Sequence, residues 1–271
     1  MWNLRSLAEK IFRPFVFVRR LPAAFGGVPV VVSPSAGLKF LATPMDQIDQ
    51  QLFAFVREFV KPGAVIWDVG ANVGLLSVAA AGIAGKSGAV YAFEPDTWLV
   101  RLLRRTATLQ PLTSAPIDVL PVAVASEVAL RTFDIAQRSR QTSHLEGYGT
   151  SQSGGTRERQ TVMTITLDWA LAQIRMPDVI KIDVEGAELE VLEGAVELFK
   201  TARPVVLCEV GATVAQEVSD FFHARNYTLY NSEASAETRV PLQTAAWNTL
   251  AVPLSIASSE EGGTTNVNNE K

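Results

Sequence analysis

The sequence predicts an α/β protein built on a doubly wound, mostly parallel sheet. Three observations predict it. Residues 64–68, 89–93, 179–183 and 205–209 are short and almost continuously apolar, the pattern of strands covered on both faces rather than one. Stretches with helical periodicity lie among them. Each run ends in an acid or one residue short of one (Asp68, Glu94, Asp183, Glu209), and a glycine-rich turn follows the first. Polar chemistry therefore gathers at the carboxyl ends of the strands, where such sheets bind ligands.

Residues 1–20 carry Arg5, Lys10, Arg13, Arg19 and Arg20 against Glu9, with Trp2, Leu4, Leu7, Ile11, Phe12, Phe15 and Phe17 among them. This amphipathic pattern fits a helix packed on the domain or a partner, or a helix lying on a membrane surface. Arg13 and Pro14 interrupt the apolar stretch, which argues against a secretory signal. The expected compartment is the cytoplasm, with peripheral membrane contact through residues 1–20 as the alternative. Residues 28–32 and 38–40 read as a hairpin, separated by Ser33, Pro34, Ser35 and Gly37. Residues 1–45 thus make an N-terminal extension. Thr43-Pro44 reads as a helix start, with Thr43 as cap and Pro44 at the first helical position. Ile48, Leu52, Phe55, Val56 and Phe59 share one face, and residues 61–63, Lys-Pro-Gly, stop the helix.

The alternation of strand and helix begins at residue 64. A strand over 64–68 leads to a helix over 73–83, and a strand over 89–93 to a helix over 97–109. The latter turns Leu99, Leu102, Leu103 and Ala107 inward and Arg101, Arg104 and Arg105 outward. A third strand starts at 117–120 and runs toward Ala125. Two alternating segments, 128–135 and 161–167, flank a polar stretch at 137–160 that is long for a plain connection and reads as a variable lid or binding loop. A fourth strand (179–183), a helix (187–199) and a fifth strand (205–209) complete the pattern. The main domain is expected over 46–253, and residues 254–271, rich in Ser, Glu, Gly and Asn, form a tail expected to be disordered.

Composition narrows the function. The 271 residues are 48% hydrophobic and 19% charged, enough for a large core. Lys plus Arg number 24 against 28 Asp plus Glu, and the net charge of −4 gives no general attraction to nucleic acid. A single cysteine, Cys208, excludes an internal disulfide framework and a cysteine-based structural zinc site. No apolar run reaches the roughly 20 residues of a membrane span.

The turn after the first strand reads Asp68-Val69-Gly70-Ala71-Asn72-Val73-Gly74. It is neither the G-x-G-x-x-G dinucleotide fingerprint nor a phosphate loop. An acid at its head repels phosphate and suits a ligand ammonium. Glu94, before Pro95, can accept hydrogen bonds from both hydroxyls of a ribose. Together they describe a site for a positively charged nucleoside without phosphates, and S-adenosylmethionine has that chemistry. Asp183, Glu185 and Glu209 end adjacent strands on the same crevice. They can position a cationic donor, take a proton from a hydroxyl or hold one oxygen-loving cation. A divalent metal is thus allowed for but not expected.

The segments DVGANVG (68–74), FEP (93–95), TLD (166–168), IKIDVEGAELEVLEGA (180–195) and RPVVLCEV (203–210) resemble the FkbM family of S-adenosylmethionine-dependent methyltransferases. The resemblance covers about residues 60–212, and Asn248-Thr249-Leu250 with Pro253 is similar to the family's C-terminal strand. It implies a class I methyltransferase sheet of order 3-2-1-4-5-7-6 with the seventh strand antiparallel. It implies methyl transfer to oxygen, typically a hydroxyl of a sugar or polyketide-like molecule. It makes Asp68, Gly70, Asn72 and Gly74 the methionine-side loop, Glu94 the ribose ligand, and Val122 and Ala123 the adenine flank. Ser143-His144-Leu145 falls where the family has a Ser-Ser-Leu-like element, from which His144 departs.

The expected reaction is therefore O-methylation of a small molecule or glycan. Asp183 is the favoured base, with Glu185 or a lid-borne His144 as alternatives, and Glu209 is a substrate-side residue. Competing readings are a silent cofactor-binding scaffold, a metal-assisted O-methyltransferase, and a nicotinamide dehydrogenase, which the glycine spacing and Asp68 disfavour. Acceptor determinants are expected in the N-terminal hairpin and in residues 137–160.

Overall fold

The structure is a computed structural model and describes residues 15–149 and 153–254. The amphipathic segment lies outside the described residues as far as residue 14, and the tail lies outside them from residue 255.

Strand β1 (Phe17–Arg20) pairs antiparallel with β2 (Pro29–Val32), Phe17 opposite Val32. The hairpin expected around residues 28–32 therefore has a different partner from 38–40. The Ser33 side chain accepts from the Ser35 N–H and starts a 3-10 turn at Pro34–Ala36, and Gly37 follows at φ +151°. The chain turns away there into a single helical turn, Lys39–Ala42. Arg19 of β1 holds that turn by donating to the carbonyls of Phe40 and Thr43.

Helix α1 (Gln50–Phe59) starts later than Thr43-Pro44 implies. Asp49 caps it by accepting from the Leu52 N–H, and the Pro44 carbonyl closes a separate turn with Gln47. A helix begins where a side chain satisfies its free N–H groups, and Asp49 does so here. Phe55 and Val56 are buried as the periodicity predicts, and Phe53 joins them.

Next come β3 (Val65–Val69), α2 (Leu75–Ala84), β4 (Ala89–Phe93), α3 (Thr97–Thr108) and β5 (Ile117–Leu120). All five residues of β3 are buried, Ile66 in one core and Val65, Trp67 and Val69 in the other. This is why the run has no polar alternation. The third strand does not continue to Ala125. Pro121 has no N–H to extend the ladder, and β6 (Ala123–Val124) pairs instead with a second sheet.

That sheet, of order β6-β9-β7-β8, comprises β7 (Ala129–Ala136), β8 (His144–Leu145) and β9 (Thr156–Ile165) as well. The stretch expected as a loop over 137–160 therefore contains a 3-10 turn at Arg140–Thr142, β8 and the start of β9. The polar half of β9 escaped notice because its side chains are largely exposed.

The remaining elements are α4 (Leu167–Leu171), β10 (Val179–Ile182), α5 (Glu188–Glu193), α6 (Val196–Thr201), β11 (Val205–Glu209), α7 (Ala215–His223), β12 (Tyr227–Asn231) and β13 (Asn248–Pro253). The single helix expected over 187–199 is broken at Gly194. A Cβ there would lie 2.4 Å from the Ala125 carbonyl oxygen. Asp168 then starts α6 afresh, its carboxylate accepting from the N–H groups of Glu197 and Leu198. The main sheet has the order β12-β13-β11-β10-β3-β4-β5, with β13 antiparallel to both neighbours. Counting only its own strands along the chain, the order is 3-2-1-4-5-7-6. β10 lies between β3 and β11, so the acids ending these three strands meet at one edge.

Candidate active site

The turn after β3 is held by close backbone approach. Gly70 has φ +75°, and a Cβ on it would lie 1.8 Å from the Asp183 carbonyl oxygen. Only glycine permits this contact, and it seats the first turn on the end of β10. Asn72 is also left-handed (φ +54°), and its N–H donates to Glu94 Oε2 at 2.7 Å. Glu94 Oε1 accepts from the Asp96 N–H at 2.8 Å. One carboxyl thus ties the two turns together. Burial, and then the neighbouring Asp96 charge, push Glu94 up to about 8. Gly74 serves packing: a Cβ there would lie 2.2 Å from Leu103 of α3.

Asp68 is buried. Its Oδ2 accepts from the Ser77 N–H (3.1 Å) and hydroxyl (2.6 Å), which fixes the carboxylate against α2. Its Oδ1 faces Lys181 Nζ at 3.7 Å. Lys181 also donates to the Gly70 carbonyl at 2.7 Å and pairs with Asp183 Oδ2 at 3.1 Å. Burial works against this ammonium, but Asp183 and then Asp68 outweigh it, so Lys181 stays charged. The sequence reading assigned Lys181 no role. The available signal was a cation inside an otherwise apolar buried strand, which demands a partner.

Asp183 stands where three clefts meet. The first is lined by Gly70, Asn72, Glu94, Pro95, Val122 and Ala123, together with Asp183 and Glu185. Arg140, Ser143 and Leu145, from the 3-10 turn and β8 of the insert, also line it. Arg140 donates to both Asp96 oxygens (2.7 and 2.5 Å) and lies 5.0 Å from the Trp98 ring centre, so the insert is latched beside Glu94. The second cleft adds Glu209, Glu188, Tyr148 and Trp247. The third runs past Asp68 and Lys181.

Burial, followed by the Asp183 charge, pushes both Glu185 and Glu209 up to about 8. The structure thus brings together every predicted acid with Gly70, Asn72, Pro95, Val122 and Ala123. It does not bring in His144. Ser143 and Leu145 face the first cleft, and strand alternation turns His144 the other way. His144 is buried, contrary to the exposed position its polar surroundings imply. Its Nδ1 lies 3.0 Å from the Thr142 carbonyl, and its ring packs where a Cβ on Gly149 would sit. Tyr148, Glu188 and Trp247 are further lining residues that sequence reasoning missed. Among the described residues, no group of three or more His, Cys, Asp or Glu side chains is arranged to hold a metal ion.

The fold and this site define a methyltransferase-type α/β protein. The model of the methyltransferase FkbM domain matches residues 68–232, and the chain belongs to that family. Hexuronic acid methyltransferase AglP of Haloferax volcanii is 26% identical over 161 residues, covering 59% of this chain and 61% of that protein. Ribosomal protein L11 methyltransferase of Caldanaerobacter subterraneus subsp. tengcongensis is 32% identical over 90 residues, covering 32% of this chain and 28% of its own length. The chain therefore spans less than two thirds of each of these curated relatives. The solved structure of methyltransferase FkbM from Methylobacillus flagellatus aligns at 15% identity and a TM-score of 0.43, covering 73% of this chain and 50% of that one.

Proposed function

We propose that the protein transfers a methyl group from S-adenosylmethionine to a hydroxyl oxygen of a sugar or other small molecule. The observation that carries this reading is the junction at Asp183, where a crevice lined by Asn72, Glu94 and Val122 meets a second cleft lined by acids. The residues fit the cofactor on one further point. Asp68 Oδ1 and Asn72 Oδ1 are buried acceptors without a hydrogen-bond donor in the chain. Unmatched buried acceptors are uncommon, and a ligand with an ammonium and hydroxyls supplies the missing donors.

In this reading Asp68, Gly70, Asn72 and Gly74 form the methionine-side loop. Glu94 accepts from the ribose hydroxyls, and Pro95, Val122 and Ala123 flank the adenine. The bound cofactor supplies an activated methyl group, so the protein mainly aligns donor and acceptor. Asp183 takes the proton of the acceptor hydroxyl. Lys181, 3.1 Å from Asp183 Oδ2, steadies that carboxylate. Glu209 lines the acceptor side of the same junction beside Asp183. Glu185 lies on the same rim. The relative AglP is named for a hexuronic acid substrate, which supports a glycan acceptor here.

The test is calorimetric titration with S-adenosylmethionine and S-adenosylhomocysteine, followed by methyl transfer to hydroxylated glycans and lipids. Asp68→Ala and Glu94→Ala should lose binding. Asp183→Asn should keep binding and lose turnover. Absence of binding to the wild-type protein would overturn the reading. Binding without transfer to any acceptor would favour a silent scaffold.

A further inference from the structure

The second cleft has a chemistry of its own. It is an open cleft at the carboxyl ends of β10 and β11, bounded by Tyr148, Glu188, Glu209 and Trp247. Trp247 forms part of its wall and is 50% exposed, an unusual position for so large an apolar ring. Tyr148 forms another part, held by a 2.5 Å hydrogen bond from its hydroxyl to Glu190 Oε1. Aromatic rings beside polar groups suit a ligand that is apolar on one face and hydroxylated at its edge.

Glu188 is the independent sign of a ligand. It is only 2% exposed, and its Oε1 accepts from the N–H groups of Val184 and Gly186. Its Oε2 is buried just behind the cleft wall, to which Glu188 belongs, and has no partner. A buried carboxyl oxygen left without a donor costs free energy until one arrives. A hydroxyl group in the cleft would supply it.

The wall also restricts what can enter. Asp183, Glu185 and Glu209 complete it, and among the described residues it contains no Lys, Arg or His. Lys181, beside Asp183, is already engaged by that carboxylate, by Asp68 and by the Gly70 carbonyl. A ligand carboxylate would be desolvated there with no cation to meet it.

We propose that this cleft is the acceptor subsite and that it takes a hydroxyl-rich ring without a carboxylate. The ring stacks on Trp247 and donates hydroxyl hydrogen bonds to Glu188 and Glu209. The cleft rejects the matching uronic acid. This inference rests on the methyl-transfer reading and specifies its acceptor.

The experiment uses the full chain loaded with S-adenosylhomocysteine. It is titrated with matched pairs of methyl glycosides, glucoside against glucuronide and galactoside against galacturonide. Methyl transfer from S-adenosylmethionine is measured on the same pairs. The neutral member of a pair should bind at least about tenfold tighter and be the one methylated. Trp247→Ala should raise its KM about five- to tenfold while leaving S-adenosylhomocysteine affinity unchanged, and Trp247→Phe should restore most of the loss. Equal or tighter binding of the uronides overturns the inference. So does a Trp247→Ala variant with wild-type KM. Cofactor binding without binding of any neutral glycoside overturns it and leaves the cofactor reading standing. Failure of S-adenosylhomocysteine itself to bind removes both.

Discussion

Binding of the cofactor should release a proton, and Glu94 should be the group that loses it. Its carboxyl is 5% exposed, and both oxygens already accept backbone hydrogen bonds, from Asn72 and Asp96. Burial and the Asp96 charge raise it from the ordinary 4.5 to about 8. At pH 7 roughly one carboxyl in ten is then ionised. Two ribose hydroxyls both donate, which an ionised carboxylate accepts, whereas the protonated form turns a hydrogen toward one of them. The cofactor therefore selects the ionised minority, and its apparent affinity is reduced by that fraction. The penalty at pH 7 is about tenfold, or about 1.4 kcal/mol. Affinity for S-adenosylhomocysteine should rise about tenfold from pH 6 to pH 7 and level off above 8. Calorimetry in buffers of different ionisation enthalpy should show close to one proton released at pH 7. Glu94→Gln should abolish both the release and the pH dependence. It should also bind more weakly, because its amide nitrogen must face a backbone N–H of Asn72 or Asp96. Glu185, also near 8 and lining the same cleft, is the control, and Glu185→Gln should leave the release in place. A wild-type affinity that is flat from pH 6 to pH 8, or proton release that survives Glu94→Gln, would refute this reasoning.

Three further predictions concern stability. Lys181→Met leaves the buried Asp68 and the half-buried Asp183 without the cation 3.7 and 3.1 Å away, and urea unfolding should show a loss of about 3–5 kcal/mol. Gly70→Ala imposes a side chain at φ +75°, costing about 1–3 kcal/mol, and drives its Cβ into the Asp183 carbonyl. A lowered Tm with loss of cofactor binding is expected, and a variant with wild-type Tm would contradict the packing argument. Glu185 and Glu209 ionise near 8 when folded, above their ordinary 4.5. The unfolded chain therefore ionises first as pH rises. Their contribution is full below about pH 4.5 and is lost as pH climbs to about 8. Unfolding free energies measured at pH 5 and pH 8 should converge in the Glu185→Gln, Glu209→Gln double variant relative to wild type.

Much of the site was legible because its chemistry is local. Asp68, Glu94, Asp183 and Glu209 each follow an apolar run, and a parallel sheet delivers the ends of such runs to one edge. Gly70 and Asn72 sit in a turn whose backbone must leave the ordinary regions, and both have positive φ. Lys181 lies within the IKIDVEGAE motif, but nothing adjacent to it in sequence reveals its part. Its importance depends on Asp68, far away in sequence, being its neighbour across the β3–β10 pair. Tyr148, Glu188 and Trp247 come from three separate segments and share only the wall of a cleft.

Neighbouring residues alone specify the strands at 64–68, 89–93, 179–183 and 205–209, the helices at 73–83 and 97–109, and the faces these elements bury. A period of 2 or 3.6, or its absence in a strand covered on both sides, is written in neighbouring residues. Tertiary structure alone decided that β2 pairs with residues 17–20 rather than 38–40, that β6 leaves the main sheet, and that Gly194 breaks a helix against Ala125. It also decided that His144 turns away from the clefts while Lys181 stands among their acids. Each of these depends on contacts between segments distant in the chain. Such contacts are set by which pairings bury the most apolar surface while satisfying every buried polar group, a condition that no short window of sequence contains.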